Sequence, residues 1–237
     1  MSALLAIPYK TWLLLLVGPL LFLLAIVAAS LFFTFRSVPQ ADIPVRVMAL
    51  LPHILLGVLS CLALFMVGFT DQVVEAWRLP VFGKGVSDLV VGLVAGSLLA
   101  MAYIYWLAPL LEMLQRTVGD YVPPGAVLPV VSSSIGLFFI ANVLLAPLVE
   151  ETVYRGIALP LLGAHVGVFW AVVLSCMLFG LLHWAGGFWY VLLTGIVAGG
   201  LFAGLFYWRE GLLAPFAAHF ALNLIEFIYA WRVHDRV

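Results

Sequence analysis

Three short groups of polar residues interrupt the apolar C-terminal half of the 237-residue chain: Glu150-Glu151-Thr-Val-Tyr-Arg155, Phe179-Gly-Leu-Leu-His183 and His219-Phe-Ala-Leu-Asn223. An ionisable side chain at mid-membrane costs at least about 2.5–3.5 kcal/mol, so its default reading is functional. Adjacent glutamates on a helix point about 100° apart and cannot easily share a role. Arg155 lies one helical turn beyond Glu151, which suits an ion pair. That division leaves Glu150 free to act as a base. If the first helix runs on through Gly156 and Pro160 and the turn is Gly163–Gly167, Glu150 and His183 lie about 20 and 24 Å from that turn, at similar depth. His219 and Asn223 share a helix face and could aim N–H groups at a developing oxyanion. They could equally be interhelical hydrogen-bond glue, and the charges of the first group could simply mark a helix end.

This set suits activation of water against an amide: Glu150, with His183, takes the proton, and His219 with Asn223 holds the oxyanion. Ser132-Ser-Ser134 has no evident histidine partner, and no Gly-x-Ser-x-Gly elbow is present. No cofactor is required by this chemistry. A Glu/His/His zinc site is the minority reading, since three ligands and an open water position make a catalytic zinc centre, but His-Glu-x-x-His is missing.

The elements that must position these groups are membrane helices. The chain is 66% hydrophobic and 9% charged, against roughly 25% charged in soluble domains. Net charge is −1 with no charged block, so nothing points to nucleic acid. Cys61 and Cys176 sit in apolar runs and read as small core residues. The run from Trp12 to Phe35 is longer than a signal-peptide core and reads as a retained span. Spans of about 20 apolar residues are expected at 12–34, 47–69, 87–111, 132–154, 168–185, 188–207 and 212–231.

The expected fold is therefore an all-α, polytopic transmembrane bundle of about seven spans. It reads as one domain over 1–237, with N-terminal spans of open role over 1–130 and a catalytic core over 131–232. Connections at 36–42, 71–84 and 115–125 are polar, the last with Pro123-Pro124-Gly125. The Asp71–Lys84 stretch, with Val73, Val74, Trp77 and Leu79, suits a short interfacial helix. His53, Asp88, Glu112 and Glu226 lie near span ends and are expected at the interface. Trp12, Trp106, Trp184, Trp189, Trp208 and Trp231 fit interfacial belts. With Lys10, Arg78, Lys84, Arg209 and, if exposed, Arg155 on one side, and Arg36, Arg46, Arg116, Arg232 and Arg236 on the other, basic residues do not fix the orientation. One tension remains: a full span at 188–207 starts His183 and His219 near opposite faces. A short or tilted sixth helix, or a re-entrant turn at Leu212–Pro215, would reconcile them.

Glu-Glu-x-x-x-Arg, Phe-x-x-x-His and His-x-x-x-Asn, in that order on successive spans, resemble the CPBP family (CAAX proteases and bacteriocin-processing enzymes, also called Abi). The likeness covers about 132–230, including Arg155-Gly156 and the Leu-Leu-Ala-Pro215 lead into His219. It implies an intramembrane, glutamic-type endopeptidase in which Glu150 and His183 activate water, His219 and Asn223 form the oxyanion hole, and Glu151 and Arg155 support them. The family was long described as metal-dependent, which keeps zinc as the alternative. Implied partners are the bilayer and a membrane-anchored protein or peptide, cut near its C-terminus. The short, very apolar loops are more similar to a prokaryotic plasma-membrane member, which argues against prenylated substrates. A non-catalytic membrane chaperone or immunity protein is the remaining alternative. A transporter would show two related halves, and none is evident.

Overall fold

A computed structural model describes residues 7–78, 80–122 and 134–234. Leu79, Pro123-Pro124-Gly125, Ser132-Ser133 and Arg236 lie outside these residues. The helices are α1 (Tyr9–Phe35), the short α2 (Ile43–Ala49), α3 (Leu51–Ala76), α4 (Phe82–Thr117), α5 (Ile135–Val166), α6 (Val168–Leu182), α7 (Phe188–Arg209) and α8 (Leu213–His234). No strand occurs among the described residues. Six helices are long and apolar enough to cross a membrane, and α6 is a shorter apolar one of 15 residues. This is the expected polytopic bundle. At 1.5 Å per residue α6 rises only about 22 Å, short of a hydrocarbon core of about 30 Å, so at least one of its ends lies inside that layer.

Two connections differ from expectation. Helix α5 continues unbroken to Val166, and the turn is Gly167 alone, at φ 80°. Only glycine takes that conformation without strain. Helix α3 passes through a 3₁₀ turn at Val67–Phe69 into the short helical stretch Thr70–Ala76, so helix covers only the start of Asp71–Lys84 and the rest is a connector. The reason is that Trp77 turns inward. Its Nε1 donates to Thr152 Oγ1 at 2.8 Å, and its ring meets Phe216 edge-on at 5.4 Å.

Prolines shape the helices around the polar residues. Pro109, Pro147 and Pro160 each follow closely on a wide π-helical stretch, at Tyr103–Leu107, Phe139–Leu145 and Thr152–Ala158. A proline has no N–H for the carbonyl four residues back and its ring collides with it, so the preceding turn widens. Carbonyls freed from the helical ladder then become available to side chains.

Small residues set the spacing. Along α4, Gly92 and Gly96 lie so close to Ala214 and Ala218 of α8 that a Cβ at either glycine would collide with those carbonyls. Between α6 and α7, Gly180 faces the Val191 carbonyl and Gly195 the Cys176 carbonyl in the same way. Such small-residue stripes let membrane helices touch backbone to backbone. They bring the helices carrying His183 and His219 against α7 and α4.

Asp88, expected near the interface, turns its carboxylate inward. It is 2% exposed, with Arg209 Nε at 2.6 Å and Lys84 Nζ at 3.4 Å. Its carboxylate ties the start of α4 to the end of α7 through charge-assisted bonds. Glu112 pairs with Arg116 on an exposed helix face, and His53 is exposed.

Candidate active site

The site is built around Arg155, which is fully buried. Its Nη1 donates to Glu151 Oε1 at 3.0 Å and its Nη2 to the Gly199 carbonyl at 3.2 Å. The guanidinium carbon lies 4.3 Å from the Phe179 ring centre and 5.3 Å from that of Phe202. Cation–π attraction over two faces, plus a planar fork of donors, explains why arginine serves where a lysine point charge would not. The ion pair expected from the i,i+4 spacing is therefore formed, and Arg155 is not an exposed charge.

Glu151 does more than hold Arg155. The same Oε1 lies 2.8 Å from His219 Nδ1, while Oε2 is buried without a partner. A carboxylate can only accept, so His219 Nδ1 carries the hydrogen and Nε2 points away from Glu151. The His219 ring stacks on Phe202 with centres 4.9 Å apart. Protonation at Nε2 would make an imidazolium that Glu151 stabilises and that can donate to an anion.

His183 is fixed by the same logic. Its Nδ1 lies 2.9 Å from the Phe179 carbonyl, which can only accept. In the neutral ring Nδ1 therefore bears the hydrogen and Nε2 keeps its lone pair. Asn223 Nδ2 donates to the Asn142 carbonyl at 2.8 Å, which orients the amide and leaves a second N–H free. The acceptors in three interhelical bonds are π-helical carbonyls: Asn142 for Asn223, Gly199 for Arg155, and Tyr154 for Ser175 Oγ at 3.1 Å.

His183, His219 and Asn223 line one cavity, with Tyr103, Phe179, Tyr190, Thr194, Ala198, Phe202, Leu222 and Glu226. Its space for water centres is about 30 Å³, enough for one or two waters. The Phe179 ring bridges the two histidines, 5.0 Å from His183 and 5.9 Å from His219. This resolves the depth tension without the expected short helix or re-entrant turn. Helix α7 is a full 22 residues, and His219 sits well inside α8, level with Phe202.

Glu150 is 3% exposed, its Oε2 is buried without a partner, and it is not part of the cavity lining. Among the described residues no hydrogen bond links it to His183. Glu226 is the opposite case. Expected at the interface, it lines the cavity instead, because Asn223 and Glu226 share the face of α8 turned towards α7. Trp184 is also not a simple belt residue: it packs edge-on against Phe22 at 6.0 Å. Tyr103, whose hydroxyl lies 3.2 Å from Thr194 Oγ1, and Asn142 have no counterpart in the sequence reading. The Pro147 signal beneath Asn142 was available.

Outside the apolar layer, residues 115–121 clasp the turn after His183. Asp120 accepts from Phe188 N–H at 2.8 Å and Trp189 N–H at 3.3 Å, capping α7 from another segment. Trp189 Nε1 donates to the Gly119 carbonyl at 2.9 Å, and the Tyr121 hydroxyl to that of Trp184. Burial acts to raise the Asp120 carboxyl, but the N–H donors of Phe188, Trp189 and Tyr121 outweigh it and hold it below the usual carboxylate range.

Among the described residues no three His, Cys, Asp or Glu side chains converge as a metal-ligand set.

A family model described as "Type II CAAX prenyl endopeptidase Rce1-like" matches residues 132–225, a stretch containing all six of the polar residues above. No curated protein and no solved structure matches the chain. With six candidate spans, the protein is an integral, multi-pass membrane protein.

Proposed function

From the premise that residues 132–225 are of the Rce1-like CAAX protease family, we propose that the protein is an intramembrane endopeptidase using glutamate-activated water. The observation that carries this reading is the division of the two glutamates. Glu151 Oε1 serves both Arg155 and His219, while Glu150 has no partner among the described residues. A buried carboxylate without a hydrogen bond is costly, which favours a role in the reaction.

In this mechanism the attacking water is held at the lone pair of His183 Nε2 in the cavity, and Glu150, which lies behind the cavity lining in this structure, takes its proton on coming within hydrogen-bond reach. The hydroxide attacks the scissile carbonyl carbon, and the charge moves to its oxygen. His219, charged as the imidazolium that Glu151 stabilises, donates Nε2–H to that oxyanion together with the second Asn223 N–H. Collapse breaks the C–N bond, and the proton taken from water passes to the leaving amine. Glu151 and Arg155 keep His219 in register. The substrate is a membrane-associated protein or peptide cut near its C-terminus, with residues 131–232 as the catalytic core and the preceding helices selecting it.

The test is cleavage of membrane-anchored peptides in proteoliposomes by wild type, Glu150→Gln and His183→Ala. The reading expects a fall of about 10²–10⁴-fold for Glu150→Gln. Undiminished cleavage by Glu150→Gln would remove the base. Loss of wild-type cleavage on chelation, restored by zinc, would point to the metal-dependent alternative. Full biological activity of both variants would favour a non-catalytic chaperone or immunity role.

A further inference from the structure

Glu226 is unused by this mechanism, yet among the described residues it is the one carboxylate that lines the cavity of His183, His219 and Asn223. It lies three residues beyond Asn223 on α8 and eight before the end of that helix, deep enough that an unpaired charge is not tolerated without a use. Among the described residues no group donates a hydrogen bond to it and no cation pairs with it. Arg155 cannot: it is fully buried, shut off behind the rings of Phe179 and Phe202 and engaged by Glu151 and Gly199. The remaining polar groups around it also include acceptors. The Tyr103 and Thr194 hydroxyls share one hydrogen bond, so they retain acceptor capacity. His183, Tyr190 and Glu226 are half-buried, so this end of the cavity opens outwards.

We propose that Glu226 forms a subsite for a primary ammonium group of the substrate, a lysine side chain beside the scissile bond. The inference rests on the endopeptidase reading for its place in the reaction, but not for its chemistry. The cavity is narrow, about 30 Å³ of it open to water, and the compact ammonium is the cation that needs least room beside Glu226. Glu226 stands about 4.5 Å along the helix axis from Asn223. An extended peptide advances roughly 3.3 Å per residue, so the lysine belongs within two residues of the bond that Asn223 addresses.

Two measurements on the full-length protein test this. The first is thermal unfolding in detergent with n-butylammonium, n-butanol or butyrate. Butylammonium should raise the midpoint of wild type and not of Glu226→Gln, and butyrate should leave both unchanged. An equal shift in Glu226→Gln, an equal shift from potassium at the same ionic strength, or no shift in wild type overturns the subsite. The second is cleavage of membrane-anchored peptides carrying lysine, arginine, norleucine or glutamate at the two positions on either side of the scissile bond. Wild type should prefer lysine at one of them by at least about tenfold in kcat/KM, a preference lost in Glu226→Gln and turned towards glutamate in Glu226→Lys. Cleavage without that preference overturns the subsite and leaves the endopeptidase. A butylammonium shift without cleavage of any peptide does the reverse.

Discussion

Two buried carboxylate–arginine pairs brace the C-terminal helices, and they are finished differently. At the α4–α7 junction Asp88 has both oxygens served, by Arg209 and Lys84, and those cations reach outwards, with side chains 19% and 39% exposed. At the centre, Glu151 and Arg155 are both fully buried, yet Glu151 Oε2, Arg155 Nε and the neighbouring Glu150 Oε2 have no partner. The first pair is complete and sits at a helix end. The second carries unsatisfied atoms into the interior, where each costs about 1–3 kcal/mol or more. Burial of charge is common to both pairs, and in the proposed mechanism it is the unmet hydrogen-bonding capacity beside Arg155 that sets the second apart.

Three substitutions sharpen that contrast, in order of effect. Arg155→Ala strips the cation from Glu151 in a fully buried site, and removal of one member of such a pair costs about 3–5 kcal/mol. A lowered unfolding midpoint and lowered protein level, together with lost turnover, are the expected results. Arg209→Ala leaves Asp88 with Lys84 near the membrane edge. A loss of about 1 kcal/mol is expected, with kcat unchanged, and a loss as large as that of Arg155→Ala would erase the distinction. The smallest effect belongs to Asp120, a carboxylate outside the apolar layer that is fully served by N–H donors. Its folded-state pKa is depressed, so its stabilisation is complete above the unfolded value of about 3.9 and is lost as pH falls through the lower folded value. Unfolding midpoints of wild type and Asp120→Asn should converge below pH 4 and separate at neutral pH. A constant gap across that range would contradict the clasp.

What the sequence revealed follows from the range of each interaction. Apolar runs of span length located the helices, and the i,i+4 rule paired Glu151 with Arg155, since both signals are local. The Glu151–His219 contact joins residues 68 apart and depends on how α5 meets α8. Asn142 contributes a backbone carbonyl and no side chain, so only the nearby Pro147 signals it. Nearness to a span end measures distance along a helix and not side-chain direction, so it foretells neither the burial of Asp88 nor the place of Glu226 in the cavity lining. The π-helical stretches behind Pro109, Pro147 and Pro160 were legible in principle, from the missing N–H of each proline.

The most direct measurement is a paired one: unfolding midpoint and turnover for Glu150→Gln and Glu151→Gln, side by side in the same proteoliposomes. The account predicts that Glu150→Gln keeps the wild-type midpoint and loses turnover by about 10²–10⁴-fold, whereas Glu151→Gln loses both. Wild-type turnover by Glu150→Gln, or destabilisation equal to that of Glu151→Gln, would contradict it.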